Sequence, residues 1–395
     1  MSISVKVSSF IEKASWIRKM FEEGATLRKI HGAENVFDFT LGNPCVEPPA
    51  AFHEELLKLA TNPIPGMHRY MNNAGYEETR TAVAEVVSEK SPQALTANHV
   101  VMTCGAGAAL NVVLKTVLNP GDEVIVLAPF FVEYRFYIDN HGGTTREVWT
   151  LPDSFQLDLA AIESAITEKT CAIIINSPNN PTGVIYPAED LQRLGQLLLR
   201  KEKELNRQIF LVSDEPYARI LYDDHQVPGI FHHVKNAVIV TSHSKDLALP
   251  GERIGYLAVN PAMENVSSFI EGAIFCNRVL GFVNAPALVQ RLVTTLQRES
   301  VDIDEYQVKR DILYDNLTAM GFNMVKPGGA FYLFPRSPLP DDVEFVRLAQ
   351  KHNILLVPGS GFGAPGYFRI AYCIDTATIH RSLPAWEKLA KEVGL

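Results

Sequence analysis

A chain of 395 residues, 47% of them apolar and 21% charged, has the make-up of a globular protein large enough for two hydrophobic cores. Its formal charge of −9, with no basic cluster to offset it, excludes a nucleic-acid surface, which needs a clustered positive footprint. No apolar run approaches the roughly 20 residues of a membrane helix, so a soluble, cytoplasmic protein is expected.

The opening segment, MSISVKVSSFIEKASWIRKMFEEG, places apolar residues at helical intervals among charges. An amphipathic helix is expected there, not the apolar core of a signal peptide. From about residue 99 to 260, short apolar runs alternate with helical patterns: 99–103, 123–128, 171–176, 209–213, 238–241 and 254–259. Most are continuous, as in strands covered on both faces. The fold class is therefore α/β, with a mostly parallel sheet and helices on both of its faces. Past residue 285 the texture changes. A long helical pattern runs from 286 to 320, and KPGGAFYLFP and YFRIAYC then have the look of antiparallel strands. A smaller α+β domain follows, giving a large domain over 48–285 and a small one made of 1–47 with 286–395. Cys45, Cys104, Cys171, Cys276 and Cys373 are scattered without CxxC spacing. They fit free thiols in a reducing compartment and form no metal site.

In parallel sheets, ligands collect at the carboxyl ends of the strands, so the residues there belong together. In TCGAGAAL, residues 103–110, a strand turns into a helix through small residues. That is an anion site, most often for phosphate, or a tight turn that needs small residues for packing. SDEPY ends a strand with Asp214 and Tyr217; a carboxylate there needs a cation or serves as a turn cap. SPNNPTG carries Asn180 in a turn-forming context. SHSK, residues 242–245, leaves Lys245 at a strand end. Alone, each has an ordinary structural reading. A phosphate, a ring nitrogen needing an acid, a ring hydroxyl and an aldehyde that condenses with an amine would use them all, and together these describe pyridoxal 5′-phosphate.

The order SPNNPTG, SDEPY, SHSK, GERIGY, PGGAFY and PGSGFGAPGYFRIAY resembles the class I and II aminotransferases of pyridoxal-phosphate fold type I. The likeness runs from about Phe37 to the end of the chain. It implies that Lys245 holds the cofactor as an imine, that Asp214 pairs with the pyridinium nitrogen, and that Tyr217 and Asn180 bond the ring hydroxyl. Gly105, Ala106 and Gly107 match the phosphate loop, with Ser242 and Arg253 as further phosphate ligands. Phe131 matches the aromatic residue stacked on the ring. Tyr70 matches a tyrosine that reaches the neighbouring subunit's phosphate, which implies a homodimer with shared active sites. Arg369 matches the clamp on the substrate α-carboxylate, with Gly42 on the substrate side of the pocket.

The implied reaction is ping-pong transfer of an amino group from an L-amino acid to a 2-oxo acid, with Lys245 as the base that moves the Cα proton. The same constellation also supports a carbon–sulfur β-lyase. A non-catalytic ligand-sensing domain is a more distant alternative. A nicotinamide-dependent dehydrogenase is disfavoured by the incomplete glycine fingerprint. Substrate choice is open at this stage. Some aspartate-preferring members carry a lysine in the phosphate loop where this chain has Gly107. Arg278 is a candidate ligand for a side-chain carboxylate, whereas Phe331, Tyr332 and Phe362 favour aromatic or apolar side chains.

Overall fold

A computed structural model describes residues 3–395, apart from the side chains of residues 12–23 and 25. The N-terminal segment forms the helix Val5–His31; the apolar stripe expected over 12–23 lies outside the described residues. Strand β1 (Phe37–Asp38) follows.

The main sheet contains β2 (Val100–Thr103), β3 (Glu123–Ala128), β4 (Thr144–Trp149), β5 (Thr170–Asn176), β6 (Phe210–Asp214), β7 (Ala237–Ser242) and β8 (Gly255–Val259). Their order is β2-β8-β7-β6-β5-β3-β4. β8 runs antiparallel to β2 and β7, while every other pairing is parallel. All six expected runs are strands. β4 was not anticipated, because its sequence TTREVW is largely polar and only Val148 is buried. An edge strand can be that polar, since only one neighbour and one face require cover.

Helices bury the sheet on both faces. Ala106–Val117 packs Leu110, Val113 and Leu114 with Val126, Val240 and Leu257 on one side. Ala188–Leu205 packs Leu191, Leu194 and Leu198, one helical stripe, with Ile173 and Leu211 on the other. Each fully buried leucine or valine contributes about 1.5–3 kcal/mol. These two layers hold the strand ends in fixed register, with Asn176 beside Asp214 and Asp214 beside Val240.

The pattern over 286–320 is two helices rather than one, Ala287–Thr294 and Ile303–Ala319. Asp302 starts the second, its carboxylate accepting from the backbone N–H groups of Asp304 at 3.0 Å and Glu305 at 3.4 Å, an N-cap. β9 (Tyr332–Leu333), β10 (Ile354–Leu355), β11 (Val357–Pro358) and β12 (Phe368–Ala371) complete the chain's strands. β9 and β12 pair antiparallel, as expected for KPGGAFYLFP and YFRIAYC, with β11 on the far side of β12. β1 joins β10 in parallel, tying the N-terminal segment to this part. A second core surrounds Trp386, with Phe322 edge-on at 5.6 Å and Phe345 and Phe368 meeting at 4.6 Å.

All five cysteines are free. Among the described residues, no group of His, Cys, Asp or Glu could hold a metal ion, and no helix is long and apolar enough to cross a membrane.

Candidate active site

A cavity of about 370 Å³ opens at the carboxyl ends of β5, β6 and β7. At one end, β2 leads into Gly105, whose φ of 85° is a left-handed turn that glycine takes without strain. Gly105 caps the helix Ala106–Val117, so the first N–H groups of that helix, whose opening residues Ala106 and Gly107 line the cavity, lack intrahelical partners. Ser242, Ser244 and Arg253 line the same wall. Arg253 donates to the carbonyls of Pro250 at 3.0 Å and Cys104 at 3.2 Å. It has no carboxylate partner among the described residues, so this end of the cavity is positive.

Asp214 ends β6 in the cavity wall. Its Oδ2 accepts a 2.5 Å bond from Tyr134 Oη, and Asn176 Nδ2 donates to its backbone carbonyl at 2.8 Å. Its Oδ1 is buried with no hydrogen-bond partner. Burial pushes this carboxyl up to about 7, against the lowering effect of the Tyr134 bond. Asn176 Oδ1 also accepts from the Asn180 N–H at 2.6 Å, which sets the turn that carries Asn180 into the cavity. Tyr217 Oη lies 2.8 Å from Tyr332 Oη. Burial, then the neighbouring Tyr332, holds the Tyr217 phenol far above its ordinary value.

Lys245 Nζ faces these groups and donates to Gly42 O at 2.6 Å. Gly42 must be glycine, because a Cβ there would lie 2.0 Å from Tyr332 Oη. Burial brings the Lys245 amine down to about 8; Cys373 opposes this, and the like charges of Arg369 and Arg253 add to it. At pH 7 about a tenth of it is therefore the free amine, against well under about a thousandth at the ordinary value.

Arg369 lies at the other end. It donates to Thr40 O at 2.6 Å and Asn180 Oδ1 at 3.1 Å, and its guanidinium sits between the rings of Tyr332 at 4.8 Å and Phe362 at 4.7 Å. Its Nε is buried without a partner, and no carboxylate among the described residues pairs with it. The fork is fixed in place by neutral acceptors and keeps its charge for a ligand.

Of the residues expected from the sequence, Gly42, Ala106, Gly107, Phe131, Asn180, Asp214, Tyr217, Ser242, Lys245, Arg253 and Arg369 all line this cavity. Gly105 turns the chain behind it. Tyr70 stands outside, 89% exposed. Arg278 is also outside, exposed on the helix Val266–Val279 and lying over Phe275 at 5.5 Å. Tyr332 and Phe362 line the wall, whereas Phe331 packs behind it against Tyr217 and Tyr306, each at 5.4 Å.

The sequence reading missed Glu133 and Tyr134. Both open the helix Glu133–Asn140, and Tyr134 follows Phe131 by three residues, a spacing that places the two near one another on a helical turn. Glu133 lines the cavity, and its Oε2 is buried without a partner. Burial raises its pKa, while its own backbone N–H and the Arg369 charge act in the other direction.

Comparison with known proteins places the chain. The profile of the family "Aminotransferase class I and II" matches residues 34–385. The aspartate/prephenate aminotransferase of Thermus thermophilus is 33% identical over 90% of each chain. The aromatic-amino-acid aminotransferase 2 of Thermococcus litoralis is 30% identical over 96% of this chain and 97% of its own. A crystal structure of an amino transferase from Eubacterium rectale superposes with a TM-score of 0.96 over 100% of both chains at 36% identity. By sequence over nearly its full length and by fold, the chain belongs to the class I and II aminotransferases.

Proposed function

We propose that this aminotransferase moves an amino group from an L-amino acid to a 2-oxo acid on pyridoxal 5′-phosphate held through Lys245. The observation that carries the reading is the buried, unpartnered Asp214 Oδ1 in one cavity with Lys245 and Arg369. The residues fit the cofactor at each of its polar ends. Asp214 offers an acceptor that lacks a donor; the N-terminus of Ala106–Val117, with Ser242 and Arg253, offers donors for a phosphate; Tyr217 and Asn180 lie between them.

Pyridoxal 5′-phosphate, when bound, supplies an aldehyde carbon for the amine and a ring that accepts electrons from the substrate Cα. Arg369 holds the α-carboxylate, and the pinned guanidinium orients the Cα toward Lys245. With its pKa brought down to about 8, Lys245 can take the Cα proton and return it on the far side of the reaction. Asp214 would keep a proton on the ring nitrogen, since a cation at Oδ1 favours its ionised form against the burial that raises its pKa. Tyr134 fixes the direction of that carboxylate. Phe131, in the cavity wall, would cover the ring, and Tyr332 with Phe362 screens Arg369 from water.

For the substrate we propose aromatic or apolar side chains in preference to a second carboxylate, because Tyr332 and Phe362 form the wall and Glu133 adds a negative charge. The names of the Thermus and Thermococcus relatives cover aspartate, prephenate and aromatic amino acids. Arg278 is a surface arginine in this reading. A homodimer with Tyr70 reaching the other copy's cavity is supported by the 89% exposure of that tyrosine, and a cytoplasmic location is part of the same proposal. Division of the chain into residues 48–285 and the remainder is supported by the second core, drawn from residues 37–39 and 301–390 apart from three residues in 217–222, although residues within 289–296 and 334–367 also join the first core.

The test is the absorption spectrum of the purified protein with the cofactor, before and after adding amino acids without any 2-oxo acid. A shift of the cofactor band to shorter wavelength, absent in Lys245→Ala, is expected. Normal turnover by Lys245→Ala overturns the assignment. An unshifted band with release of pyruvate and ammonia replaces it with the carbon–sulfur lyase.

A further inference from the structure

A second cavity, of about 500 Å³, lies on the opposite face of the main sheet. Side chains alternate across a strand, so the residue after Asp214 is turned away from the catalytic cavity. That residue is Glu215, and it lines the second cavity. The chain is still paired there, with Glu215 N–H donating to Val240 O at 2.9 Å. The two carboxylates thus stand back to back across the sheet, joined by one peptide bond.

The charges around the second cavity do not match one another. Glu215 accepts a 2.6 Å bond from Ser213 Oγ but makes no ion pair among the described residues. Arg219 donates to the backbone carbonyls of Gln297 and, at 3.0 Å, of Glu299. Lys90 donates to Val227 O at 3.3 Å. Neither cation has a carboxylate partner among the described residues. By contrast, His243 and Asp246 in the same wall satisfy each other at 3.2 Å. Burial raises the Glu215 carboxyl to about 7, against the Ser213 bond and the Lys90 charge, with Asp214 adding to the rise. One unmatched anion and two unmatched cations around a cavity of small-ligand size are complementary to a molecule that carries both an ammonium and a carboxylate.

We propose that this cavity is a second binding site for a free α-amino acid, its ammonium group at Glu215 and its carboxylate at Arg219 and Lys90. The site adjoins the catalytic cavity through two short links. Glu215 is bonded to Asp214, and His243 and Asp246 flank the segment that carries Lys245. An amino acid at Glu215 pulls that carboxyl toward its ionised form and so removes a proton from the back of the Asp214 strand. The proposal stands whether or not the chain transaminates.

The experiment is calorimetric titration of the cofactor-loaded protein with each of the common L-amino acids up to about 10 mM, a range that reads affinities weaker than about 1 mM. The matching 2-oxo acids, which lack the ammonium, and the matching amines, which lack the carboxylate, serve as controls. Wild type, Glu215→Gln and Lys90→Gln are compared; Lys90 is exposed, so its variant folds even if Glu215→Gln does not. The expected result is a second, saturable event for at least one amino acid. It is weakened about tenfold or more in both variants and absent with both controls, while the cofactor band still shifts on adding the amino acid. A single event that is unchanged in Lys90→Gln and Glu215→Gln overturns the proposal, as does a second event shared equally by the oxo acid or the amine.

Discussion

Replacing Asp214 by asparagine should flatten the pH dependence of the cofactor-free protein's stability. In the unfolded chain this carboxyl ionises near its ordinary 3.8; in the folded protein, burial moves ionisation to about 7. Between these values the folded state holds a proton that the unfolded state has lost, so the contribution to stability falls as pH rises through the window. At about 1.4 kcal/mol for each pH unit the fall amounts to about 4 kcal/mol in all, with about 2 to 3 kcal/mol of it between pH 5 and pH 8. Glu215, also raised to about 7 mainly by burial, with Asp214 the smallest contributor, keeps most of its slope in both proteins, so the difference between wild type and Asp214→Asn comes mainly from Asp214. Asparagine keeps an oxygen for the Tyr134 hydroxyl and carries no charge. Urea unfolding of both proteins without cofactor, from about pH 5 to about pH 8, should show the variant gaining on the wild type by about 2 to 3 kcal/mol as pH rises. Parallel profiles would refute the reasoning, because they would mean that the Tyr134 bond offsets burial in full. Added pyridoxal 5′-phosphate should then shrink the wild type's loss at high pH more than it helps the variant, since only the carboxylate can answer a protonated ring nitrogen.

Arg369→Lys retains a charge but cannot hold Thr40 O, Asn180 Oδ1 and a substrate carboxylate together. A charged hydrogen bond contributes about 1.5–3 kcal/mol, so KM for every amino-acid substrate should rise about 10- to 100-fold in steady-state assays. Glu133→Gln removes a negative charge from the cavity wall and should raise kcat/KM for aspartate and glutamate about tenfold, equivalent to about 1.4 kcal/mol, with little change for phenylalanine. An equal effect on all three would assign Glu133 to the helix start alone. Arg278→Ala should leave the KM for aspartate, glutamate, alanine and phenylalanine within about twofold of wild type, an energy under about 0.5 kcal/mol. A selective rise for the two dicarboxylates would restore it as their ligand.

How much of this was legible in the chain follows from how local each feature is. Buried strands β3, β5, β6 and β7 are covered on both faces, so each has a continuous apolar run with polar residues at one or both ends and is easy to see. β4 at the edge has one buried side chain and no such mark. The break between Ala287–Thr294 and Ile303–Ala319 is signalled only by the cap at Asp302, inside a stretch already rich in charge. Within the site, Lys245, Asp214, Asn180 and Arg369 stand in short motifs that carry their own turns, and each reached the cavity. Tyr134 and Glu133 carry no motif. Their importance arises from where the helix Glu133–Asn140 leans on β6, a contact between residues about 80 positions apart in the Tyr134–Asp214 pair. Tyr70 stood in a motif that resembles one expected to act across a dimer, a role that belongs to the proposal; in the single chain it is 89% exposed.

The charges of the cavity make the same point in energetic terms. Arg253 at one end and Arg369 at the other bond only neutral acceptors, and Asp214 between them bonds only a neutral phenol and leaves Oδ1 bare. A protein selected for stability alone would pair the buried Asp214 or Arg369 with an opposite charge or replace it by an apolar group, since an unmatched buried charge is costly. In the proposed reading, Arg253, Asp214 and Arg369, with an amine of pKa about 8 among them, would meet a phosphate, a protonated ring nitrogen and a carboxylate in turn. In the proposed function, a bound cofactor and substrate would relieve the cost of burying this carboxyl, so that stability, cofactor affinity and catalytic protonation would all depend on one carboxylate at the end of β6.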